Sequence, residues 1–298
     1  MSSWAGIDEF VAVAQTRHFG MAAQRLKCSA SQVSREIASL EDRLGLQLFY
    51  RTTRHVSLTE VGERFLVTCR RLFDEREEAI AALIDDGEQL RGNLRLTCSV
   101  AYGERFVVPI VNRMMSDNLL LNVEVLLTDD VLDLVEQGID LAIRFGKLRD
   151  SRLVATRLAS RTRLLCASPA YVAQNGIPQN LEDLARHECL RGVTDTWTFK
   201  RDGHPHLHRP QGRFRCNSGF AALQAALSGL GLCRLPDFYV LTHLERGELV
   251  ELLPEHRPED EGVWAVYPDR RHLPTKVTLL LEGLHAGLKP RTGLHNPG

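Results

Sequence analysis

The sequence predicts an α/β chain in three parts: an all-helical N-terminal unit with a hairpin wing, one long helix, and a C-terminal region of two α/β lobes in series. Three observations carry this. Apolar residues recur at helical spacing through the first 60 residues, no proline interrupts residues 60–90, and beyond Arg91 short apolar strands alternate with helices. Such alternation implies βαβ units around a parallel sheet. A chain of 298 residues has room for two domains or three. With 44% hydrophobic and 25% charged residues it has an ordinary globular composition, which excludes a disordered or collagen-like chain. The 37 basic and 38 acidic side chains give a net charge of −1, so the chain is no basic coat protein, although a local basic patch remains compatible with it.

Ile7, Phe10, Val11 and Ala14 mark one face of a first helix, and Met21, Ala22, Ala23 and Leu26 a second, short one. Ser29 and Gln32 form an S-x-x-Q capping box that opens a third helix, with Val33, Ile37, Leu40 and Leu44 on its apolar face and Gly45 at its end. Two helices joined by so tight a turn predict a helix-turn-helix. Beside the cap residue Ser29, the polar face of the third helix carries Ser31, Gln32, Ser34 and Arg35, groups suited to phosphates and base edges; a merely solvated face would look alike.

Phe49-Tyr50 and Val56-Ser57-Leu58 flank the polar Arg51-Thr52-Thr53-Arg54-His55, which predicts a hairpin with a solvated basic tip. Arg17 to Ser57 holds seven basic side chains against three acids, in a chain that is otherwise neutral. That asymmetry is the footprint of phosphate binding, and Arg51, Thr53 and Arg54 of the hairpin are further candidates for contact with nucleic acid. Thr59 is an N-cap for the long helix, and Glu60 and Glu63 suit its N-terminus. In that helix Phe65, Leu72 and Ala79, with Leu66, Phe73 and Ile80 beside them, form a broad apolar stripe. It calls either for a second subunit or for burial within one large domain.

Arg91-Gly92-Asn93 breaks the helix. Strands are expected over 94–99, 122–128 and 139–145, with helices over 104–115 and 131–137. A second set begins near Thr162: a strand over 164–167, helices over 169–176 and 181–187, hairpins within 196–215, a helix over 220–227, a strand around 231–235 and a helix after Pro236. Two such lobes meet at a crevice, where ligands usually sit.

Phe19-Gly20-Met21-Ala22-Ala23-Gln24-Arg25-Leu26, Ser29-Ala30-Ser31-Gln32-Val33-Ser34-Arg35-Glu36-Ile37, Leu40-Glu41-Asp42-Arg43-Leu44-Gly45, Leu48-Phe49-Tyr50-Arg51-Thr52-Thr53-Arg54 and Leu58-Thr59-Glu60-Val61-Gly62 resemble, in order and spacing, the LysR-type transcriptional regulators. Phe145-Gly146-Lys147-Leu148, Ala167-Ser168-Pro169-Ala170-Tyr171, Leu181-Glu182-Asp183-Leu184 and Gly229-Leu230-Gly231 extend the resemblance over the second half, toward the branch that includes regulators of aromatic- and organic-acid metabolism. The resemblance implies a winged helix-turn-helix DNA-binding domain over 1–59, a linker and dimerisation helix over 60–91, and an effector-binding domain over 92–298. The last would be like a periplasmic solute-binding protein, with lobe I at about 92–161 and 266–298 and lobe II at about 162–265. The implied partners are double-stranded DNA at an operator or promoter, a small-molecule effector, further copies of the chain as homodimer or homotetramer, and RNA polymerase as an additional partner. Lys27-Cys28 departs from the family in the helix-turn-helix turn, and His55 in the wing.

Candidate ligand groups lie where strands end: Ser99 and Val100, Thr128, and Arg144-Phe145 on one side, Thr194 and Asn217-Ser218 on the other. A hydroxyl beside free helix N–H groups receives a carboxylate well. Arg144 would anchor a small organic anion, or form a structural ion pair. Catalysis is not expected. Ala226-Leu227-Ser228-Gly229-Leu230 lacks the first glycine of a nucleophile elbow, and the chain holds neither a phosphate-binding G-x-x-x-x-G-K-[ST] nor an H-E-x-x-H. His204, His206 and His208 alternate on one strand but have no carboxylate or cysteine at supporting spacing, so no metal or cofactor is expected. The cysteines, without a C-x-x-C, read as reduced thiols, a peroxide-sensing pair being the alternative. With no signal-like start and no apolar run long enough to span a membrane, the expected location is cytoplasmic.

Overall fold

The computed structural model describes residues 4–51, 56–84, 90–146, 148, 153–192, 194–269 and 273–288. The N-terminal unit is α1 (Ile7–Thr16), α2 (Phe19–Leu26) and α3 (Ala30–Leu44), followed by the antiparallel hairpin β1 (Phe49–Arg51) and β2 (Val56–Leu58) and by α4 (Glu60–Ile84). His18 caps α2, its Nδ1 accepting from the N–H groups of Gly20 and Met21 at 3.0 and 3.3 Å. Lys27 closes α2 with φ at 54°, in the left-handed region. Ser29 caps α3, its Oγ accepting from the Gln32 N–H at 3.2 Å, and Gly45 ends the helix at φ 67°.

Phe10, Val33, Ile37, Leu40, Leu48 and Phe49 form the core of this unit together with Leu66 and Cys69 of α4. The Phe65 ring lies 5.1 Å from that of Phe10. The first turns of the long helix therefore bury their stripe within their own subunit, which differs from a stripe wholly reserved for a partner. Ala79 and Ile80 belong to the part of α4 whose side chains are outside the described residues, as is the expected end of the helix near residue 90.

The first lobe is built on β3 (Arg91–Cys98), α5 (Val100–Tyr102), a π-helical turn over Gly103–Val107, α6 (Val108–Asp117), β4 (Leu120–Leu127), β5 (Leu141–Phe145) and β6 (Leu153–Arg161). The second follows with β7 (Arg163–Ala167), α7 (Pro169–Asn175), β8 (Trp197–Arg201), β9 (His204–His208), α8 (Gly219–Leu227), β10 (Cys233–Pro236), α9 (Asp237–Glu245) and β11 (Val250–Leu252). β12 (Glu261–Pro268) and α10 (Thr275–Gly287) return to the first. Its sheet runs β4-β3-β5-β12-β6, with β3 parallel to β4 and β5, and β12 antiparallel to β5 and β6. Leu94, Leu96, Leu141, Ile143, Val263 and Ala265 pack from the sheet against Val111, Leu280 and Leu284 of α6 and α10.

Five expectations are corrected. No α-helix forms over residues 131–137: 131–133 are irregular and 134–138 form a turn, because Asp133 Oδ1 takes the N–H groups of Val135 and Glu136, both at 2.9 Å. Residues 182–186 form a 3-10 helix instead of an α-helix. Arg91–Asn93 already belong to β3, and the helix expected from Glu104 starts at Val100. The sheet of the second lobe, β10-β7-β11, is antiparallel throughout, and parallel pairing there is confined to single bridges, Cys189 with Leu232 and Arg191 with Arg215. β7 shows no alternation because Leu164 and Cys166 enter a core with α8, while Leu165 and Ala167 enter another with Tyr171 and Trp197.

The chain crosses between lobes at Thr162 and returns between β11 and β12. At the first crossing Thr162 and Asp237 hold each other: the Asp237 N–H donates to the Thr162 carbonyl at 2.9 Å, and the Thr162 N–H to Asp237 Oδ2 at 3.3 Å. Phe238 packs in the core of the first lobe and Val240 in that of the second. Ahead of both lobes, Val67 of α4 approaches Gly138 so closely that a Cβ on the glycine would lie 2.9 Å from its Cγ1.

Candidate nucleic-acid interface and ligand cleft

Ser29, Ser31, Gln32, Ser34 and Arg35 occupy the start of α3, where Ser31, Gln32 and Arg35 are exposed and Ser34 is half-buried. The Ser31 and Ser29 hydroxyls share a hydrogen bond of 3.0 Å. Only one half of the capping box is formed: the Ser29 Oγ receives the Gln32 N–H, while among the described residues the Gln32 side-chain amide has no hydrogen-bond partner. Arg51 is engaged within the protein. Its Nη2 meets Glu41 Oε2 at 2.5 Å, and its guanidinium lies 5.3 Å from the centre of the Phe19 ring. Glu41 Oε1 also accepts the N–H groups of Leu48 and Phe49, at 2.8 and 3.1 Å. One carboxylate of α3 thus fixes the root of the wing. Thr53 and Arg54 lie outside the described residues.

Between the lobes lies a cleft of about 540 Å³. Six of the eight expected ligand residues line it: Ser99, Val100 and Phe145 from the first lobe, Thr194, Asn217 and Ser218 from the second. Ser99 stands just past the end of β3 as the N-cap of α5, its hydroxyl making no cap bond. Ser218 caps α8, its Oγ accepting from the Ala221 N–H at 3.3 Å.

Thr128 and Arg144 are not among the lining residues. The Thr128 Oγ1 accepts the Asp130 N–H at 3.1 Å in a local turn. Arg144 alternates with Phe145 along β5 and so points to the opposite face, where its Nη2 donates to the Leu132 carbonyl at 3.3 Å.

The cations of the cleft are instead Arg161, Arg163 and Arg234, which the sequence reading missed. Glu261 bridges the first two, accepting from Arg161 Nε at 3.0 Å and from Arg163 Nε at 3.1 Å. Burial works against the Glu261 carboxylate, but Arg163 and Arg161 together hold its pKa below the usual range. The Arg161 guanidinium also lies 3.7 Å from the centre of the Phe145 ring. Arg234 donates from Nη2 to the Thr198 carbonyl and stacks 5.4 Å from Phe199, while its Nε is buried without a partner among the described residues. Burial lowers its pKa to about 10, and Arg163 nearby adds to that. The legible signal was Arg161-Thr162-Arg163, two guanidiniums flanking the residue where the chain changes lobe.

Tyr239 is a further missed residue. Its hydroxyl rests so close to the start of α8 that a Cβ on Gly219 would lie 2.7 Å from it.

A larger space of about 910 Å³ separates α4 from the first sheet. Arg95, which lines it, is engaged there with Glu124 at 2.8 Å. The seven cysteines are free thiols. Cys166 and Cys233 stand in register on β7 and β10, and burial pushes both thiols up, Cys233 to about 12, so neither offers a thiolate near neutral pH. Among the described residues no three His, Cys, Asp or Glu side chains converge as metal ligands, and no helix is long and apolar enough to cross a membrane.

Two family descriptions match the chain: "LysR substrate binding domain" over residues 87–289, and "Bacterial regulatory helix-turn-helix protein, lysR family" over residues 6–63. The chain is 36% identical to the HTH-type transcriptional regulator PtxR of Pseudomonas aeruginosa, over 94% of this chain and 92% of that protein. It is 30% identical to the HTH-type transcriptional activator AaeR of Escherichia coli, over 92% and 90%. Among solved structures, CrgA of Neisseria meningitidis shares 29% identity at a TM-score of 0.58, covering 94% of this chain and 98% of that one. Full-length AphB of Vibrio cholerae shares 26% at a TM-score of 0.61, with the same coverage. The chain belongs to the LysR family and is a transcriptional regulator with an N-terminal helix-turn-helix domain and a C-terminal effector-binding domain.

Proposed function

We propose that this regulator binds operator DNA through Ser29, Ser31, Gln32, Ser34 and Arg35 of α3, with Arg51, Thr53 and Arg54 of the wing in support, and that a small organic anion in the interlobe cleft sets its activity. Residues 1–59 form the DNA-binding domain, 60–91 the linker that pairs subunits into a dimer and then a tetramer, and 92–298 the sensor. Lobe I of the sensor comprises about 92–161 and 266–298, and lobe II about 162–265. The protein works in the cytoplasm, without catalysis, and RNA polymerase is the partner through which binding becomes transcription. A ligand acts here by binding one quaternary arrangement better than another.

The observation that carries the ligand reading is the set of three guanidiniums in the cleft wall, Arg161, Arg163 and Arg234, of which Glu261 pairs with the first two. Among the described residues Arg234 has no ion pair, and Asn217 and Ser218 at the start of α8 offer further donors to the same cleft. Ser99, Val100, Phe145 and Thr194 complete the lining, while Arg144 and Thr128 hold the fold around it. Titration calorimetry of the full chain with a panel of short mono- and dicarboxylates tests this: binding in the wild type should fall at least roughly tenfold in Arg234→Gln. A panel without any binder, or an unchanged Arg234→Gln, would overturn the cleft as an anion site. DNA recovered with the purified protein and returned to it in a gel shift tests the DNA arm.

A further inference from the structure

We infer that the effector is a zwitterion with an apolar body, a small amino-carboxylic acid held between an acidic and a basic wall; this rests on the cleft being the effector site. The basic wall is the Arg161, Arg163 and Arg234 cluster, in which, among the described residues, Arg234 has no carboxylate partner and keeps a buried, unpartnered Nε. Facing the same cleft, Glu104 in the π-helical turn and Asp129 beyond β4 present two carboxylates. They come from separate elements of the first lobe, both are exposed, and among the described residues neither has an ion-pair or hydrogen-bond partner.

Tyr239 also lines the cleft; burial pushes its phenol up, Asp129 and Glu104 add to that, and Arg161 and Arg163 oppose it. A carboxylate ligand without a cation would bring its charge into a space where two carboxylates already stand, and an amine without an anion would meet three guanidiniums. A ligand with one group of each sign satisfies both walls at once. Between them the lining is apolar. Phe220 is 62% exposed and Val100 38%, both large apolar side chains turned to solvent at the cleft, with Phe145 and Trp197 beside them. A ligand with an apolar body would cover that surface and so exclude water from both ion pairs.

Calorimetry of the full-length protein with three matched series of probes tests this: the common amino acids, the carboxylic acids lacking their amino group, and the amines lacking their carboxylate. The expected result is at least one amino acid that binds roughly tenfold more tightly than its des-amino acid. That advantage should fall to about one in Glu104→Gln/Asp129→Asn, whose surface substitutions leave the melting temperature in place. If des-amino acids bind as tightly as amino acids, or if the advantage survives in the double variant, the zwitterion is overturned while the anion cleft stands. If no probe of any series binds, both fall together.

Discussion

Arg144 stands directly across from Trp264 where β5 pairs with β12, and both side chains lie on the sheet face turned away from the cleft. Ala142 and Val266 share that face, packed with Leu134 and Ile139, whereas Ile143 and Ala265 point into the opposite core. Arg144 holds the irregular segment at Leu132 by a hydrogen bond to its carbonyl. Replacing it with alanine should cost about 1 kcal/mol of stability, the net worth of such a bond. It should leave effector affinity within roughly twofold, in contrast to Arg234→Gln. Urea unfolding and calorimetry on the two variants check the pair. A loss of binding in Arg144→Ala at unchanged stability would return the anchor to Arg144.

That residue also shows where sequence reading stops. The strand around Arg144 was legible from its apolar run, but alternation has period two, so an error of one residue exchanges the faces. Phe145 was placed in the cleft and Arg144 with it, although neighbours on a strand cannot both point there. Ser29 and Gly45, by contrast, are signals written in one or two residues, and the ends of α3 fall where they predict. The antiparallel second sheet was illegible for another reason: β7 is buried on both faces, so its sequence carries no pattern that tells which neighbours it takes. The guanidinium cluster assembles residues 161, 163 and 234, whose proximity depends on the change of lobe at Thr162 and on the pairing of β7 with β10.

Lys27 carries strain that glycine would relieve. Its φ of 54° places a side chain in the left-handed region, at a cost of roughly 1–2 kcal/mol. Lys27→Gly should raise the stability of the N-terminal unit by up to about 1 kcal/mol, since the added freedom of the unfolded glycine offsets part of the relief. Denaturant unfolding of the full chain, followed by the N-terminal Trp4, reports it.

Leu66 separates packing from assembly in the long helix. Its side chain is buried in the core of its own subunit, next to Cys69 and the Phe65–Phe10 ring pair. Leu66→Ala should therefore destabilise the N-terminal unit by about 2–4 kcal/mol. Sedimentation should find the oligomer unchanged at concentrations where the chain is folded. Dissociation without loss of stability would show that Leu66 belongs to the interface between subunits.

His208 gives the second lobe an acid sensitivity. Burial pushes its imidazole below the usual histidine value, and His206 nearby pushes it further. Its Nε2 is buried without a partner among the described residues, and its ring lies beside Trp197 and Phe199. The fold therefore favours the neutral ring. That contribution is fully present above the unfolded histidine value of about 6.5, and is lost as pH falls through the lower folded value. Stability should fall on acidification below neutrality, and His208→Gln should flatten the slope. Melting curves across that range measure it; an equal slope in the variant would assign the sensitivity elsewhere.

Gln32 and Ser29 divide the start of α3 between reading and capping. The cap uses the Ser29 hydroxyl and the backbone N–H of Gln32, so the exposed Gln32 amide is left for DNA. Such an amide can pair with N6 and N7 of adenine in the major groove, worth about 1–3 kcal/mol of discrimination. Gln32→Ala should keep the stability of the wild type and relax preference at one base pair of each half-site, with no change in salt dependence. Ser29→Ala should cost about 1 kcal/mol of stability and weaken binding to all sequences alike. Arg51 differs from both, because its guanidinium is paired with Glu41 and stacked on Phe19. Arg51→Gln should act through the wing root that Glu41 also holds, and lower the salt slope by less than the roughly one counterion expected of a direct phosphate contact. Binding of the three variants to a library of operator sequences at several salt concentrations, beside their unfolding curves, separates the roles. A stability loss in Gln32→Ala with intact base preference would make Gln32 part of the cap, and a full counterion lost in Arg51→Gln would place Arg51 on the phosphates.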